Sequence, residues 1–117
     1  VLRQENNRLT AQWKRNYEAE EHATPNELLI SLLDFYKEHS GFYLALYRAG
    51  LSDMLLQTLL EQSEITPELP NALAYLKSSI AYMLYGWIVE WMKRGMPESG
   101  TELARMIADS QNAGTKP

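Results

Sequence analysis

The sequence predicts an all-α domain of five to six helices. Along the 117-residue chain, apolar residues recur at spacings of three, four and seven residues, as they do on one face of a helix. Helix-starting and helix-ending residues separate these periodic segments. No stretch alternates polar and apolar residues beside a turn dipeptide, so the sequence predicts no strand.

The first two helices are predicted from an apolar stripe and from a start signal. The first helix carries the stripe Leu2, Leu9, Trp13 and Tyr17 among polar residues. Residues 20–23 break this pattern. Thr24, Pro25 and Glu27 then have the spacing of a capping box with proline in the first turn, which predicts the start of a second helix.

Two shorter helices are predicted next. Residues 39–41 interrupt the second helix, and Gly50 is expected to end the third in a left-handed conformation. Ser52 is expected to cap a fourth helix. The residues of that helix expected to point inward are Met54, Leu55 and Leu59.

A long helix is predicted to begin between Pro67 and Asn71 and to end at Gly95. From residue 80 to residue 92 its only charged side chain is Glu90, so it is apolar around its whole circumference. One face can pack on the domain itself, and the other needs a further cover, most simply a second copy of the chain. One of the two faces is lined by Leu73, Leu76, Ile80, Leu84, Trp87 and Trp91.

The last helix is expected to begin at a capping box formed by Ser99 and Glu102. Residues 112–117 are predicted to be a disordered tail.

In the long helix, Gly86 either lets two helices approach closely or accommodates a bulky neighbour within one chain. The predicted contact residues of a homodimer are Tyr82, Tyr85, Gly86, Val89, Leu103, Met106 and Ile107.

The composition excludes several classes of protein. The chain has no cysteine, which excludes disulfides, thiolate metal sites and cysteine nucleophiles. Its net charge of -4 argues against DNA or RNA binding by this chain alone. No catalytic, phosphate-binding or dinucleotide motif occurs, so no enzyme activity, metal or cofactor is expected.

The first residue is Val1 rather than Met, which suggests that the chain is a fragment. A cytoplasmic location without membrane contact is expected from the lack of cysteine and of a long apolar run.

Tyrosine and methionine in the middle helices suggest a ligand cavity. The chain holds seven Tyr, three Trp, two Phe and five Met. Such side chains suit a cavity for a mostly apolar organic molecule with a few hydrogen bonds, although half-buried tyrosines with hydrated hydroxyls would give the same pattern. Arg48 either meets an acidic group of the ligand or caps its own helix. The predicted lining is Phe35, Tyr36, Tyr43, Tyr47, Arg48, Met54, Tyr75, Tyr82 and Met83.

The chain resembles the regulatory domain of TetR-type transcriptional regulators. In residues 82–99 and 102–104, an aromatic residue, a glycine, a tryptophan, a basic pair with glycine and a short amphipathic helix follow one another as in the last two helices of that family. Residues 28–50 are similar to its first two regulatory helices, and residues 1–16 to the helix that leaves its DNA-binding domain.

The resemblance implies a regulatory half of a repressor. Residues 1–23 would end the helix that connects to a helix-turn-helix domain absent from this chain, and residues 24–111 would be the regulatory and dimerisation domain. Two copies would pair through their last two helices in a four-helix bundle, and each would hold a small organic effector. DNA would be bound only through the missing domain. The alternative is a dimeric protein-interaction module of the same fold, a co-regulator without a small ligand.

Overall fold

The computed structural model describes residues 1–18 and 25–113, and this part of the chain is built of α-helices without any strand. The all-α prediction is therefore confirmed. The predicted break at residues 20–23 and the predicted cap at Thr24 lie outside the described residues. The helices are α1 (Leu2–Glu18), α2 (Pro25–Glu38), α3 (Ser40–Arg48), α4 (Asp53–Gln62), α5 (Asn71–Lys93) and α6 (Gly100–Ala113).

The helices are divided between two compact units, a division that the sequence analysis did not anticipate. The first unit comprises residues 1–43 and 96–117, and the second comprises residues 44–95. Helices α1, α2 and α6 thus belong to the first unit, and α4 and α5 to the second. The division falls within α3, between Tyr43 and Leu44.

In the first unit, α2 packs against both α6 and α1. The approach of α6 to α2 is so close that a Cβ added at Gly100 would lie 2.4 Å from the backbone nitrogen of Asp34. Only glycine fits there without a shift of the backbone. On the other side, the indole Nε1 of Trp13 donates a hydrogen bond of 3.0 Å to Ser31 Oγ and ties α1 to α2.

The junction of α2 and α3 is short. His39 alone separates the two helices, and the backbone pattern of hydrogen bonds continues across it, from His39 N to Phe35 O at 3.1 Å and from Tyr43 N to His39 O at 3.1 Å. The predicted interruption at residues 39–41 is therefore present but covers one residue. Lys37 Nζ, from the last turn of α2, donates to the backbone oxygen of Met96 just before α6.

In the second unit, α4 packs against α5. Gly50 has a φ of +75° and Leu51 N donates to Leu46 O at 3.1 Å, which confirms the predicted left-handed end of α3. The prediction that Ser52 caps α4 with its side chain is wrong, because Ser52 makes no cap hydrogen bond. Its Oγ lies 3.3 Å from the hydroxyl of Tyr85 on α5 instead.

The end of α5 and the start of α6 agree with the predictions from the sequence. Gly95, just after α5, has a φ of +87°. The capping box is confirmed: Glu102 N donates to Ser99 Oγ at 3.1 Å, and Ser99 N donates to Glu102 Oε1 at 3.3 Å. Helix α6 extends to Ala113, two residues beyond the predicted end of the domain, and residues 114–117 lie outside the described part.

No helix within residues 1–18 and 25–113 has the length and apolar character needed to cross a membrane.

Candidate functional site

An aromatic cluster occupies the core of the first unit, where α2 meets the start of α3. The rings of Tyr36 and Tyr43 are 4.6 Å apart between centroids, and the ring of Phe42 stands edge-on to Tyr43 at 5.1 Å. Phe35 is edge-on to Tyr43 at 6.5 Å and also contacts the imidazole of His39 at 4.4 Å. Three of the predicted ligand residues, Phe35, Tyr36 and Tyr43, are thus brought together by the fold.

The two tyrosine hydroxyls of this cluster are buried without a hydrogen-bond partner. Burial raises the pKa of Tyr36 well above its ordinary value, and the neighbouring Tyr43 raises it further. Burial also raises the pKa of Tyr43. The Thr10 hydroxyl of α1 opposes that rise, although no hydrogen bond of normal geometry reaches Tyr43. Both side chains therefore remain neutral hydroxyl groups at physiological pH.

Helix α1 contributes a third buried polar atom that the sequence analysis missed. Asn6 lies on the buried face of α1 with Leu9 and Trp13, and its Oδ1 has no hydrogen-bond partner. The spacing of three and four residues from Asn6 to Leu9 to Trp13 marks it as inward-facing. The polar type of the side chain concealed that signal, because the expected stripe was drawn from apolar residues alone.

The other predicted ligand residues belong to the second unit, and their exposure varies. Met54 is buried, whereas Tyr47 and Met83 are half-buried. Arg48 is exposed in the last turn of α3, where its positive charge interacts favourably with the negative end of the helix dipole. Tyr75 is 70% exposed and Tyr82 is 56% exposed. That all nine residues line one cavity stays a prediction.

The outer face of α5 carries a stripe of exposed and half-buried apolar side chains, which we call the α5 stripe: Leu73, Leu76, Ile80, Met83 and Trp87. Leu73, Leu76 and Ile80 are 40%, 55% and 44% exposed, which is unusual for such side chains. The spacing alternates between three and four residues, as at a helix–helix seam. The inward face is formed by other residues, namely Ala81, Ile88, Trp91 and Met92.

The second half of the α5 stripe lines an open depression of about 320 Å³, together with Gly86 and Glu90. A Cβ added at Gly86 would meet no other atom of the described residues within 4 Å, the backbone of its own helix turn aside. Of the two explanations for this glycine, the one that requires a bulky neighbour within the same chain is therefore not supported. Space remains on this face for a second helix.

The predicted dimer residues differ in their access to a partner. Gly86, Tyr82 and Met106 are exposed. Tyr85 and Val89 are half-buried. Leu103 and Ile107 are buried, since α6 packs against α2 in the first unit. The buried pair needs no second copy to cover it, and Met106 is the one of the three α6 residues that is exposed.

Residues 1–18 and 25–113 contain no group of three or more His, Cys, Asp or Glu side chains placed to bind a metal ion.

Comparison with known proteins identifies the family of the chain. A TetR-type family model, described as the transcriptional regulator C-terminal region, matches residues 23–112. No curated protein and no solved structure matches the chain.

Proposed function

Because the chain belongs to the TetR-type family of transcriptional regulator C-terminal regions, we propose that it is the effector-sensing half of such a regulator. It binds a small, mostly apolar effector and transmits the binding to a DNA-binding domain outside these residues. The observation that carries the proposal is the aromatic cluster of Phe35, Tyr36, Phe42 and Tyr43, in which the hydroxyls of Tyr36 and Tyr43 are buried without a partner.

The cluster suits an effector for two reasons. Aromatic rings offer an apolar lining, and hydroxyls without partners can supply the few hydrogen bonds that orient a ligand. A core that served stability alone would place phenylalanine at these positions, because an unpaired buried hydroxyl costs about 1–3 kcal/mol.

The signal has a short path to α1. This helix packs on α2, the helix that carries Phe35 and Tyr36, through the Trp13–Ser31 hydrogen bond. An effector that binds one arrangement of α1 and α2 more tightly shifts the equilibrium toward that arrangement. The free energy of this shift cannot exceed the difference between its affinities for the two arrangements, typically about 1–3 kcal/mol. That shift changes the spacing of two DNA-binding domains on their half-sites.

The regulator acts as a homodimer in this proposal, with the α5 stripe as the principal contact. The stripe is apolar, has the spacing of a helix–helix seam and adjoins the open space at Gly86. A second copy of α5 related by a twofold axis would cover it. A cytoplasmic location follows from a role in transcription.

The test is a thermal-shift screen of small apolar compounds, followed by hydrogen exchange of residues 1–18 with and without each hit. We expect a compound that raises Tm and also changes exchange in α1. The chain alone is not expected to bind duplex DNA, because it is acidic and carries no recognition helix in its described part. Sequence-selective DNA binding that resists salt would contradict the assignment.

The second candidate function is a co-regulator that binds a protein and no small ligand. The exposed tyrosines Tyr75 and Tyr82 on α5 favour it, since aromatic residues with one wet end are enriched at protein interfaces. Under this alternative, no compound changes the exchange of α1. Substitution of Tyr75 and Tyr82 would then abolish binding of the partner without changing the mass of the dimer.

A further inference from the structure

We propose that Asn6, Tyr36 and Tyr43 form the polar end of a binding site for an uncharged aromatic alcohol of the phenol type, and that α1 is part of this site. The inference rests on the proposed effector function. It adds the chemical class of the effector and a direct contact with the connecting helix.

Three polar atoms in the first unit are buried without partners. Folded proteins leave few such atoms, because each has given up its hydrogen bonds with water. Here Asn6 Oδ1 and the hydroxyls of Tyr36 and Tyr43 are all unpaired, and none of the three residues is more than 3% exposed. They come from three different helices of one unit, so a guest could satisfy them together.

The three side chains are placed around one region of the first unit. The rings of Tyr36 and Tyr43 are in contact, and Thr10 of α1 lies beside the hydroxyl of Tyr43. Asn6 is one helical turn before Thr10 on α1, and successive turns share a face. One face of α1 therefore brings both polar side chains to the side of the helix on which the tyrosine pair lies.

The unpaired groups determine which hydrogen-bonding groups a guest must carry. The amide oxygen of Asn6 only accepts hydrogen bonds, whereas a tyrosine hydroxyl donates or accepts. The guest must therefore carry a donor and an acceptor, as a hydroxyl does. The rings of Phe35 and Phe42 beside Tyr43 favour an aromatic body, since rings pack edge-to-face.

Charge restricts the guest further. Burial raises the pKa of Tyr43, with a smaller contribution from the carboxylate of Glu5 on α1, so a negative charge buried beside that hydroxyl is disfavoured. A cation is disfavoured too, because the three polar groups of the site are an uncharged amide and two uncharged hydroxyls, which supply no counter-charge. A neutral guest remains.

Contact with Asn6 gives the effector direct access to the connecting helix. A guest that bonds to Asn6 and to the tyrosines prefers the arrangement in which α1 is close to α2 and α3. Its binding energy then acts on α1 without passing through other side chains.

The first experiment measures Tm of the ligand-free chain with Tyr36→Phe and Tyr43→Phe, singly and together. Removal of a hydroxyl that lacks a partner is expected to raise Tm by roughly 3–6 °C per site. Tyr85→Phe is the matched control, because the hydroxyl of Tyr85 has Ser52 as its partner, and this variant should not gain stability. A lower Tm in both core variants would mean that internal water already satisfies the hydroxyls, which would overturn the proposal.

The second experiment compares phenol with toluene, which has the same ring without the hydroxyl. At about ten times its Kd, phenol is expected to raise Tm of the wild-type chain by roughly 4–6 °C, and toluene by less. The advantage of phenol should disappear in the Tyr36→Phe/Tyr43→Phe double variant and in Asn6→Leu. Equal shifts with the two compounds in the wild-type chain would refute the site.

Hydrogen exchange separates this inference from the proposed function. Phenol binding that depends on the hydroxyls and slows exchange in residues 1–18 supports both. Hydroxyl-dependent binding with unchanged exchange in α1 keeps the site and its ligand class but removes the contact with α1 and the proposed transmission. Loss of the site, with a different compound that still acts on α1, would leave the regulatory function in place.

Discussion

At the scale of single residues, burial determines both the ionisation and the hydrogen bonding of the Tyr36 and Tyr43 hydroxyls. Both lie in the core of the first unit, where burial away from bulk solvent disfavours a phenolate, and the pKa of each is raised for that reason. The same burial leaves their hydroxyls without partners. A site that is costly in the free protein can then bind a guest that supplies the missing hydrogen bonds.

The raised pKa values predict a loss of stability in alkaline solution. In the unfolded chain both tyrosines ionise near pH 10, whereas in the folded chain they stay neutral to higher pH. Their contribution is therefore fully present below pH 10 and falls as pH rises beyond it, by up to about 1.4 kcal/mol per pH unit for each group. Urea unfolding at pH 8, 9, 10 and 11 measures this loss.

Variants identify the groups responsible. The Tyr36→Phe/Tyr43→Phe double variant is expected to remove most of the alkaline loss, and Tyr75→Phe, at an exposed tyrosine, should leave it unchanged. Absorbance near 295 nm should show two of the seven tyrosines ionising only as the chain unfolds. Ionisation of all seven in the folded chain would contradict the assignment of the buried pair.

At the scale of helices, the contact of α2 with α6 depends on Gly100. A Cβ at this position would lie 2.4 Å from Asp34 N and 2.7 Å from the carbonyl carbon of Leu33, both of which are backbone atoms. Gly100→Ala is therefore expected to destabilise the chain by about 1–3 kcal/mol, as overpacking does. Gly41→Ala, where the added methyl meets nothing within 4 Å, is the matched control.

Urea denaturation of the two variants measures the difference. Equal stability of Gly100→Ala and Gly41→Ala would show that α2 and α6 can separate at no cost, which the close packing of the two helices does not allow.

The helices also show how far the sequence can predict this fold. The capping box of Ser99 and Glu102 and the left-handed Gly50 depend on residues close together in the chain, and both are confirmed. Ser52 has the right type for a cap, but Tyr85, which is 33 residues away, lies beside its hydroxyl instead. Short-range signals predict the ends of helices and not the contacts between distant residues.

The candidate site was predictable only in part for the same reason. Tyr36 and Tyr43 lie on adjacent helices joined by one residue, so their proximity follows from local sequence. The burial of Asn6 depends on how α1 packs. The burial of Leu103 and Ile107 by the chain's own packing, and the exposure of the Leu73 end of α5, likewise depend on packing between helices, which periodicity does not reveal.

At the scale of the whole molecule, the proposed homodimer places the α5 stripe and Gly86 against the second copy. Gly86→Leu improves helix propensity by up to about 1 kcal/mol, and its Cβ would meet no other atom of the described residues within 4 Å, the backbone of its own helix turn aside. It should therefore keep or raise the stability of the monomer while it weakens the dimer by at least tenfold. Gly41→Leu also introduces a leucine at an open glycine, and it should leave the dimer unchanged.

Sedimentation equilibrium of the two variants, over a range of concentrations, gives both dissociation constants. A dimer equally strong in Gly86→Leu and Gly41→Leu would place the interface away from Gly86.

The most direct test of the proposed dimer, and of the α5 stripe as its contact, is the mass of the wild-type chain in solution. At micromolar concentration, sedimentation equilibrium should give twice the chain mass of 13.5 kDa. The Leu76→Glu/Ile80→Glu variant, which places charges on exposed positions of the stripe, should give 13.5 kDa with unchanged helical content. A wild-type mass of 13.5 kDa, or a variant that remains dimeric, would contradict it.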